Sequence, residues 1–397
     1  MAKLIEITGK ALSGEWGTDD EIGNGIPVLR TTNFTNEGFI DYRDVVTRHI
    51  DKKNIDEKYL RPGDIIIEKS GGSDKQPVGR VVYFEGPEST YMFNNFTGLL
   101  RVKEQKKWFP KYIFYSLYYN YYKGGTKIYE NKTTGLHNLK MDSYISRYDV
   151  LEKDYGEQIR ICERIDKINR LIQLHKEEII ELEKITKSRF IELFGDMFLN
   201  SKGWPESRLD SVADIVSGIT KGRKVKSVNV TEVPYMAVSN VKDGYIDWTT
   251  VKTIEATSQE IEQYRLMPDD VLMTEGGDPD KVGRGAIIKK PLDNCIHQNH
   301  IFRVRLDESV ILPGFFAEYL QHQRSKRYFL GCAKQTTGIA SINMKQLRAL
   351  PVLVPPLSDQ EQFVSFVTKV DKSKSAIQKS LDELEILKKS LMQKYFG

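Results

Sequence analysis

The sequence predicts an α+β chain made of two similar globular halves in tandem repeat, separated by two long helices that pair as an antiparallel coiled coil. Three observations predict it. Landmarks recur in the same order at a period of roughly 205 residues. Two stretches, 157–194 and 359–396, switch to helical periodicity with few prolines or glycines to interrupt them. In both halves, a proline turn feeds an apolar strand that runs into a glycine-rich loop. The boundaries that follow are 1–152 for the first globular half, 153–196 for the first helix, 197–356 for the second half and 357–397 for the second helix.

Each half opens on the same landmarks. Ile26-Pro27 answers Val233-Pro234, Thr32-Asn33 answers Ser239-Asn240, and Gly38-Phe39-Ile40-Asp41 answers Gly244-Tyr245-Ile246-Asp247. Leu60-Arg61-Pro62-Gly63-Asp64-Ile65 then answers Leu266-Met267-Pro268-Asp269-Asp270-Val271, where proline fixes φ ahead of a core strand. The loops after that strand carry Gly71-Gly72, Lys75 and Val78-Gly79-Arg80 in one half, and Gly276-Gly277, Lys281 and Val282-Gly283-Arg284 in the other. Later, Thr133-Thr134-Gly135-Leu136 answers Thr336-Thr337-Gly338-Ile339. Between these landmarks, Tyr112, Tyr115, Tyr118, Tyr119, Tyr121 and Tyr122 crowd beside Lys111 and Lys123. Such clusters can stack bases, but the helical spacing favours core packing.

The helical stretches keep a heptad seam. Ile161, Ile165, Ile168, Ile172, His175, Ile179, Leu182, Thr186, Arg189 and Leu193 follow alternating four-three spacing. A shift of about 202 residues, without a gap, gives Phe363, Val367, Val370, Lys374, Ile377, Leu381, Leu384, Lys388, Leu391 and Tyr395. Matching seams on one chain point to a coiled coil about 57 Å long at 1.5 Å per residue. An antiparallel pair relates the halves by an approximate two-fold axis, which symmetry favours. The alternative is that each helix docks only on its own half; polar seam members such as Lys374 and His175 speak for it.

Composition bounds the function. With 59 Lys+Arg against 55 Asp+Glu the excess is +4, too small to argue for nucleic acid by itself. Cys162, Cys295 and Cys332 form no C-x-x-C pair, so neither a disulfide framework nor a zinc ribbon is expected and a reducing compartment fits. Residues Met1 to Gly9 lack a basic region followed by an apolar run, and no stretch approaches the roughly 18 apolar residues of a membrane span. A soluble cytoplasmic protein is the expectation.

The layout resembles the specificity subunit of type I restriction-modification systems: target-recognition domain, spacer helix, second target-recognition domain, second spacer helix. The start of the second helix, Leu353-Val354-Pro355-Pro356-Leu357-Ser358-Asp359-Gln360, is similar to that family's pattern, with Asp359 where glutamate is usual. Gly203-Trp204-Pro205 with Leu209, Val212 and Gly218 resembles its domain start, and Glu192-Leu193-Phe194-Gly195 and Lys394-Tyr395-Phe396-Gly397 look like its closing signature. The first half departs from the pattern, since Lys153-Asp154 replace the two prolines before Glu157-Gln158. The resemblance implies a DNA-recognition subunit. Each half would read one part of a bipartite target on double-stranded DNA. The helices would set the spacing and bind two adenine methyltransferase (modification) subunits, and restriction/translocase subunits would complete the complex. Two heads on a rigid rod suit two half-sites tied to the helical repeat of about 34 Å.

Within each half the glycine-rich loops are the candidate DNA contacts, because backbone N–H groups approach phosphates where no Cβ intervenes. The first set is Lys69, Ser73, Lys75 and Arg80; its counterpart is Asp278, Lys281 and Arg284. A second set, Lys127, Lys132, Thr133 and Thr134 against Lys334, Gln335, Thr336 and Thr337, offers hydroxyl, amide and ammonium groups. The bland reading makes Thr-Thr-Gly a turn and the lysines solvated. Because these loops differ between halves, the target is expected to be asymmetric.

No catalytic constellation survives comparison between the repeats. Cys295, His297 and His300 are metal-ligand types at close spacing, yet Tyr91, Phe93 and Phe96 stand at the matching positions, and a strand with two half-buried histidines is the better reading. Asp64 with Glu68-Lys69 has the wrong spacing for a nuclease, and Glu104-Gln105-Lys106 lacks a partner aspartate. There is no P-loop and no Asn/Asp-Pro-Pro-Tyr/Phe stretch, so ATP and methyl donor fall to partners. The expectation is a non-catalytic subunit with no cofactor and no metal. The alternative is a two-domain coiled-coil scaffold for proteins.

Overall fold

The computed structural model describes the chain apart from residues 52–54, 134–135, 224–228, 279–280 and 337, and apart from the side chains of 132, 133, 136, 335, 336 and 339. The chain forms two compact units, Met1–Glu177 with Gln378–Gly397, and Glu178–Ile377. Each is mixed helix and sheet. Among the described residues no helix is long and apolar enough to cross a membrane.

The first unit is organised by an antiparallel sheet in the order Leu12–Ser13, Thr97–Leu100, Ile65–Glu68, Val81–Tyr83. All four residues of Ile65–Glu68 are buried, which is why Ile65, Ile66 and Ile67 are apolar without alternation. A second sheet runs Thr18–Asp19, Val46–His49, Ile26–Leu29, Met92–Phe93, with its last pair parallel. A third joins Glu130–Thr133, Leu136–Leu139 and Ser70–Gly72. The helix Pro110–Tyr122 buries Tyr112 and Tyr115 in the core, as its spacing predicts, while Tyr122 is exposed.

The second unit repeats this plan, except that among the described residues its sheet with the parallel pair has three strands, with no counterpart of Thr18–Asp19. Its main sheet is Ala213–Ser217, Ile301–Leu306, Val271–Thr274, Gly285–Ile287. Lys252–Ala256, Thr231–Met236 and Ile296–His297 form the sheet with the parallel pair, and Gly276–Gly277, Ile339–Ser341 and Lys334–Thr336 the third. The polar anchors repeat too. Asn33 Oδ1 accepts from the Arg30 N–H and Asn240 Oδ1 from the Ala237 N–H, both at 2.9 Å. Buried Asp64 is ion-paired by Arg101 at 2.6 Å and buried Asp270 by Arg305 at 2.8 Å. An unpaired carboxylate at either place would carry an uncompensated charge into the core.

The two long helices are Tyr155–Phe194 and Leu357–Phe396, each 40 residues. Where the first lacks prolines, Asp154 caps it instead: its Oδ2 accepts from the Gly156 N–H at 3.0 Å and the Glu157 N–H at 3.3 Å. Gly195, at φ 75°, ends that helix in a conformation that side chains resist. Gln158 and Gln360 tie each helix start to its own half. Their Oε1 atoms accept from the Phe109 and Leu312 N–H groups at 2.8 Å, and each Nε2 donates to two carbonyls.

All the heptad-seam positions are buried or half-buried. Near the end of the first helix the deepest residues are Phe190 and Phe194, one position after the expected Arg189 and Leu193, because they join the aromatic core of the second unit. Within the first unit, Arg164 Nη1 donates to the Tyr395 hydroxyl at 2.8 Å and His175 meets Ser380 at 3.1 Å. Within the second, Lys374 pairs with Glu183 at 3.2 Å and Phe363 packs on Phe190 and Phe194. In both units the helical segments therefore run in opposite directions.

Candidate nucleic-acid interface

In each half the glycine strand and the Thr-Thr-Gly hairpin, far apart in sequence, belong to one three-stranded sheet. In the first, Ser73 and Gln76 exchange backbone hydrogen bonds of 2.7 and 3.1 Å, making a tight turn around Lys75. Three contacts staple the loop to the segment before the hairpin. The Val78 N–H donates to Glu130 Oε1 at 2.8 Å, the Tyr121 hydroxyl donates to the Pro77 carbonyl at 3.1 Å, and Gly79 lies so close to Thr126 that a Cβ would sit 2.8 Å from its Cγ2. Gly79 also has φ 104°, so glycine is required on both counts. Lys75 and Lys127 thereby line one cleft.

Of the expected contacts, Ser73, Lys75 and Lys127 are exposed and Lys69 is half-buried, its carbonyl accepting from the Leu139 N–H. Arg80 is placed differently. Its guanidinium grips Glu68, which is 1% exposed, at 2.8 Å, and donates to the carbonyls of Phe34 and Thr31 at 3.0 and 3.1 Å. An arginine so committed ties strand to loop and has little left for an outside phosphate. Lys132 and Thr133 lie in the hairpin strand; their side chains, and Thr134 altogether, fall outside the described residues.

In the second half, Lys281 pairs with Asp278, both exposed, and this hydrogen bond holds the Asp278 carboxyl below its usual range. Arg284 is half-buried; Thr274 stands where the first half has Glu68, and Arg284 Nε has no hydrogen-bond partner among the described residues. Lys334 is exposed at the hairpin strand that also holds Gln335 and Thr336, whose side chains, like Thr337, lie outside the described residues. His297 is fully buried rather than half-buried, its ring nitrogens meeting the carbonyls of Tyr264 and Val216, and burial pushes its pKa down to about 4. His300 is exposed and pairs with Glu275. Among the described residues no group of three His, Cys, Asp or Glu is placed to hold a metal.

Sequence reasoning missed two features of the first half. His137, buried in the hairpin, faces Glu130 at 3.3 Å and Asp74 at 3.6 Å, tying hairpin to loop. The cleft beside Lys75 and Lys127, about 810 Å³, is walled by Tyr118, Tyr119, Tyr121 and Tyr122 and by lysines of the long helices. One signal was available: Lys388 interrupts an apolar seam, and it lies over the Tyr118 ring at 5.4 Å.

Residues 201–386 match the family described as the type I restriction modification DNA specificity domain. The EcoKI specificity subunit of Escherichia coli K12, a type I restriction enzyme subunit, is 25% identical over 94% of this chain and 82% of its own length. Over most of its length the chain is similar to specificity subunits of type I restriction-modification systems. The StySPI specificity subunit of Salmonella potsdam is 26% identical over 94% of this chain and 81% of its own length. Among solved structures, the S subunit from M. genitalium shares the fold at a TM-score of 0.57 with 15% identity, over 100% of this chain and 95% of that one. The family match thus lies in the second half, while the similarity to the whole relatives spans both, and the repeated sheet supplies the same scaffold in each.

Proposed function

We propose that this chain is a specificity subunit of a type I restriction-modification system that reads a bipartite, asymmetric sequence on double-stranded DNA, one part with each globular half, and lends no catalysis of its own. The observation that carries the reading is the repeat itself: one scaffold occurs twice, with matched polar anchors, while the loops around the three-stranded sheet differ. A common frame with different loops suits the recognition of two different half-sites. In this reading 1–152 and 197–356 are target-recognition domains. The helices within 153–196 and 357–397 pair as an antiparallel coiled coil that fixes the separation of the half-sites and seats two adenine methyltransferase subunits. Restriction/translocase subunits join the same complex, which works in the cytoplasm.

The contacts assigned to DNA are Lys69, Ser73, Lys75, Lys127, Lys132, Thr133 and Thr134 in the first half. Asp278, Lys281, Arg284, Lys334, Gln335, Thr336 and Thr337 take that role in the second. Arg80 enters as the residue that holds its loop. The test is single-molecule sequencing of adenine methylation in a methylation-free host expressing this chain with its methyltransferase, against the methyltransferase alone. A two-part asymmetric motif present only with both proteins is expected. Soluble, associated proteins that leave no motif would turn the assignment toward a protein scaffold.

A further inference from the structure

The two units differ where the long helices meet the sheet-bearing part of each. In the second unit, Thr186 and Phe190 hold the positions that Lys388 and Met392 hold in the first. The Phe190 ring packs on His322, with centroids 4.8 Å apart, and stacks on Phe315 at 5.7 Å, so rings fill that space. In the first unit the corresponding space is the tyrosine-walled cleft of about 810 Å³. Six lysines line it: Lys75 from the glycine loop, Lys123 and Lys127 beyond the helix Pro110–Tyr122, and Lys176, Lys388 and Lys389 from the long helices. Only Glu37 and Glu385 oppose them, an excess of four positive charges (six minus two). Among the described residues, no carboxylate forms an ion pair with any of the six. Burial is the main cause that lowers the Lys388 pKa; Glu37 opposes it, neighbouring Lys176 adds to the lowering, and Glu385 opposes it least. Gathering like charges around a concave, partly desolvated space is unfavourable unless an anion enters it.

Several rotatable ammonium groups on different elements suit the scattered oxygens of phosphates better than one planar carboxylate, which arginine forks recognise. Exposed Tyr122 adds a flat face for a base, and the hydroxyls of Tyr119 and Tyr122 can donate to phosphate oxygens, whereas those of Tyr118 and Tyr121 already donate to the carbonyls of Asn36 and Pro77. We propose that this cleft is a phosphate-binding site in which Lys176, Lys388 and Lys389 of the long helices join Lys75 and Lys127 to hold consecutive phosphates of a DNA strand. Its source in DNA rests on the DNA-reading function above, because Lys75 and Lys127 flank the sheet assigned to the first half-site. The spacer helices then contact DNA on the first half only, since the second half has closed the matching space with Phe190.

Two probes test the site and its source separately, on the full chain and on its complex with the methyltransferase. Inorganic tripolyphosphate is titrated into the chain with tyrosine fluorescence as readout. Saturable binding is expected, weakened about tenfold by Lys388→Gln and by the exposed pair Lys176→Gln with Lys389→Gln. No saturable binding, or binding unchanged in both variants, overturns the site. Duplex DNA carrying the target is then bound by the complex across a salt series. With all three lysines replaced, the slope of log affinity against log salt should fall by about 2 to 3, and affinity about 10- to 100-fold, equally on target and non-target DNA. A tripolyphosphate response without a change in DNA slope overturns the DNA source and assigns the cleft to a free phosphorylated compound. A wild-type complex with no target preference removes the DNA-reading function, while the tripolyphosphate arm still judges the cleft.

Discussion

The first and second halves of this chain share a frame and differ in what fills it, and in the proposed reading the division between kept and changed parts separates folding from recognition. Residues that satisfy the frame are the same on both sides: Asn33 and Asn240, Asp64 and Asp270, Gln158 and Gln360 make matching hydrogen bonds. Residues next to the candidate interface are not. Glu68 becomes Thr274 beside the arginine that follows the loop, and the open lysine cleft becomes a packed cluster around Phe190. A buried polar anchor cannot vary without stranding its partner, whereas a loop or cleft can vary at little cost to stability.

The largest effect should come from breaking the difference at Glu68. With its carboxylate removed in Glu68→Ala, the half-buried Arg80 keeps only the carbonyls of Phe34 and Thr31, and a buried charge without its counter-ion typically costs about 3–5 kcal/mol. Thr274→Ala at the matching place removes a buried hydroxyl that has no hydrogen-bond partner among the described residues, so about 1 kcal/mol or less is expected. Hydrogen exchange read peptide by peptide distinguishes the halves. Equal protection losses in both variants would show that the Glu68–Arg80 pair adds nothing special to the first half.

A second asymmetry is titratable. His297 is held neutral, its pKa about 4 against an ordinary 6.5, because burial opposes its charged form. Between these values the unfolded chain binds a proton that the folded second unit refuses. The stabilisation is therefore complete above about pH 6.5 and is lost as pH falls toward about 4, to a total near 3 kcal/mol. The first half has Phe93 there and lacks this term. His297→Phe, which copies the first half, should flatten the second unit's loss of protection over that pH window; an unchanged acid profile would assign the loss to other groups.

The repeat, the main strands and both helices were legible because each rests on spacing that survives in two copies. The interface was legible only in part. Arg80 reads as a DNA contact from its place after Gly79, yet Glu68, the one acidic residue in an apolar run, was the sign that a buried carboxylate needed a nearby cation. In the tyrosine cluster, spacing separates Tyr112 and Tyr115 as core. Which way Tyr118, Tyr119, Tyr121 and Tyr122 face depends on helix segments some 50 to 270 residues away, which no local pattern encodes.

The glutamines at the two helix starts offer a control in which the halves should respond alike. Gln158→Ala strands the Phe109 N–H and the carbonyls of Lys107 and Lys153; Gln360→Ala strands the Leu312 N–H and the carbonyls of Val310 and Pro355. Each loss should cost about 2 kcal/mol in its own half. A loss confined to one glutamine would mean that proline at the second helix start or the Asp154 cap at the first already fixes that junction.

The smallest expected effect concerns the turn before the core strand, where Gly63 has φ 98° and its counterpart Asp269 has φ 68°. Aspartate tolerates this region better than most residues but not freely, at a cost of about 1 kcal/mol. Replacing it with glycine in Asp269→Gly relieves that strain but adds freedom to the unfolded chain, about 0.5–1 kcal/mol, and removes the exposed pair with Lys289, worth under about 1 kcal/mol. The terms nearly cancel, so Asp269→Gly should leave the second unit within about 0.5 kcal/mol of wild type. The reverse change, Gly63→Asp, imposes the strain without the compensating lysine. A Cβ there meets Pro110 only at 3.5 Å, so no clash is added, and a loss of about 1 kcal/mol in the first unit is expected. If denaturant unfolding showed Gly63→Asp to be neutral, the Lys289 pair could no longer explain why aspartate is tolerated at residue 269, and the turn itself would have to be more permissive than its φ implies.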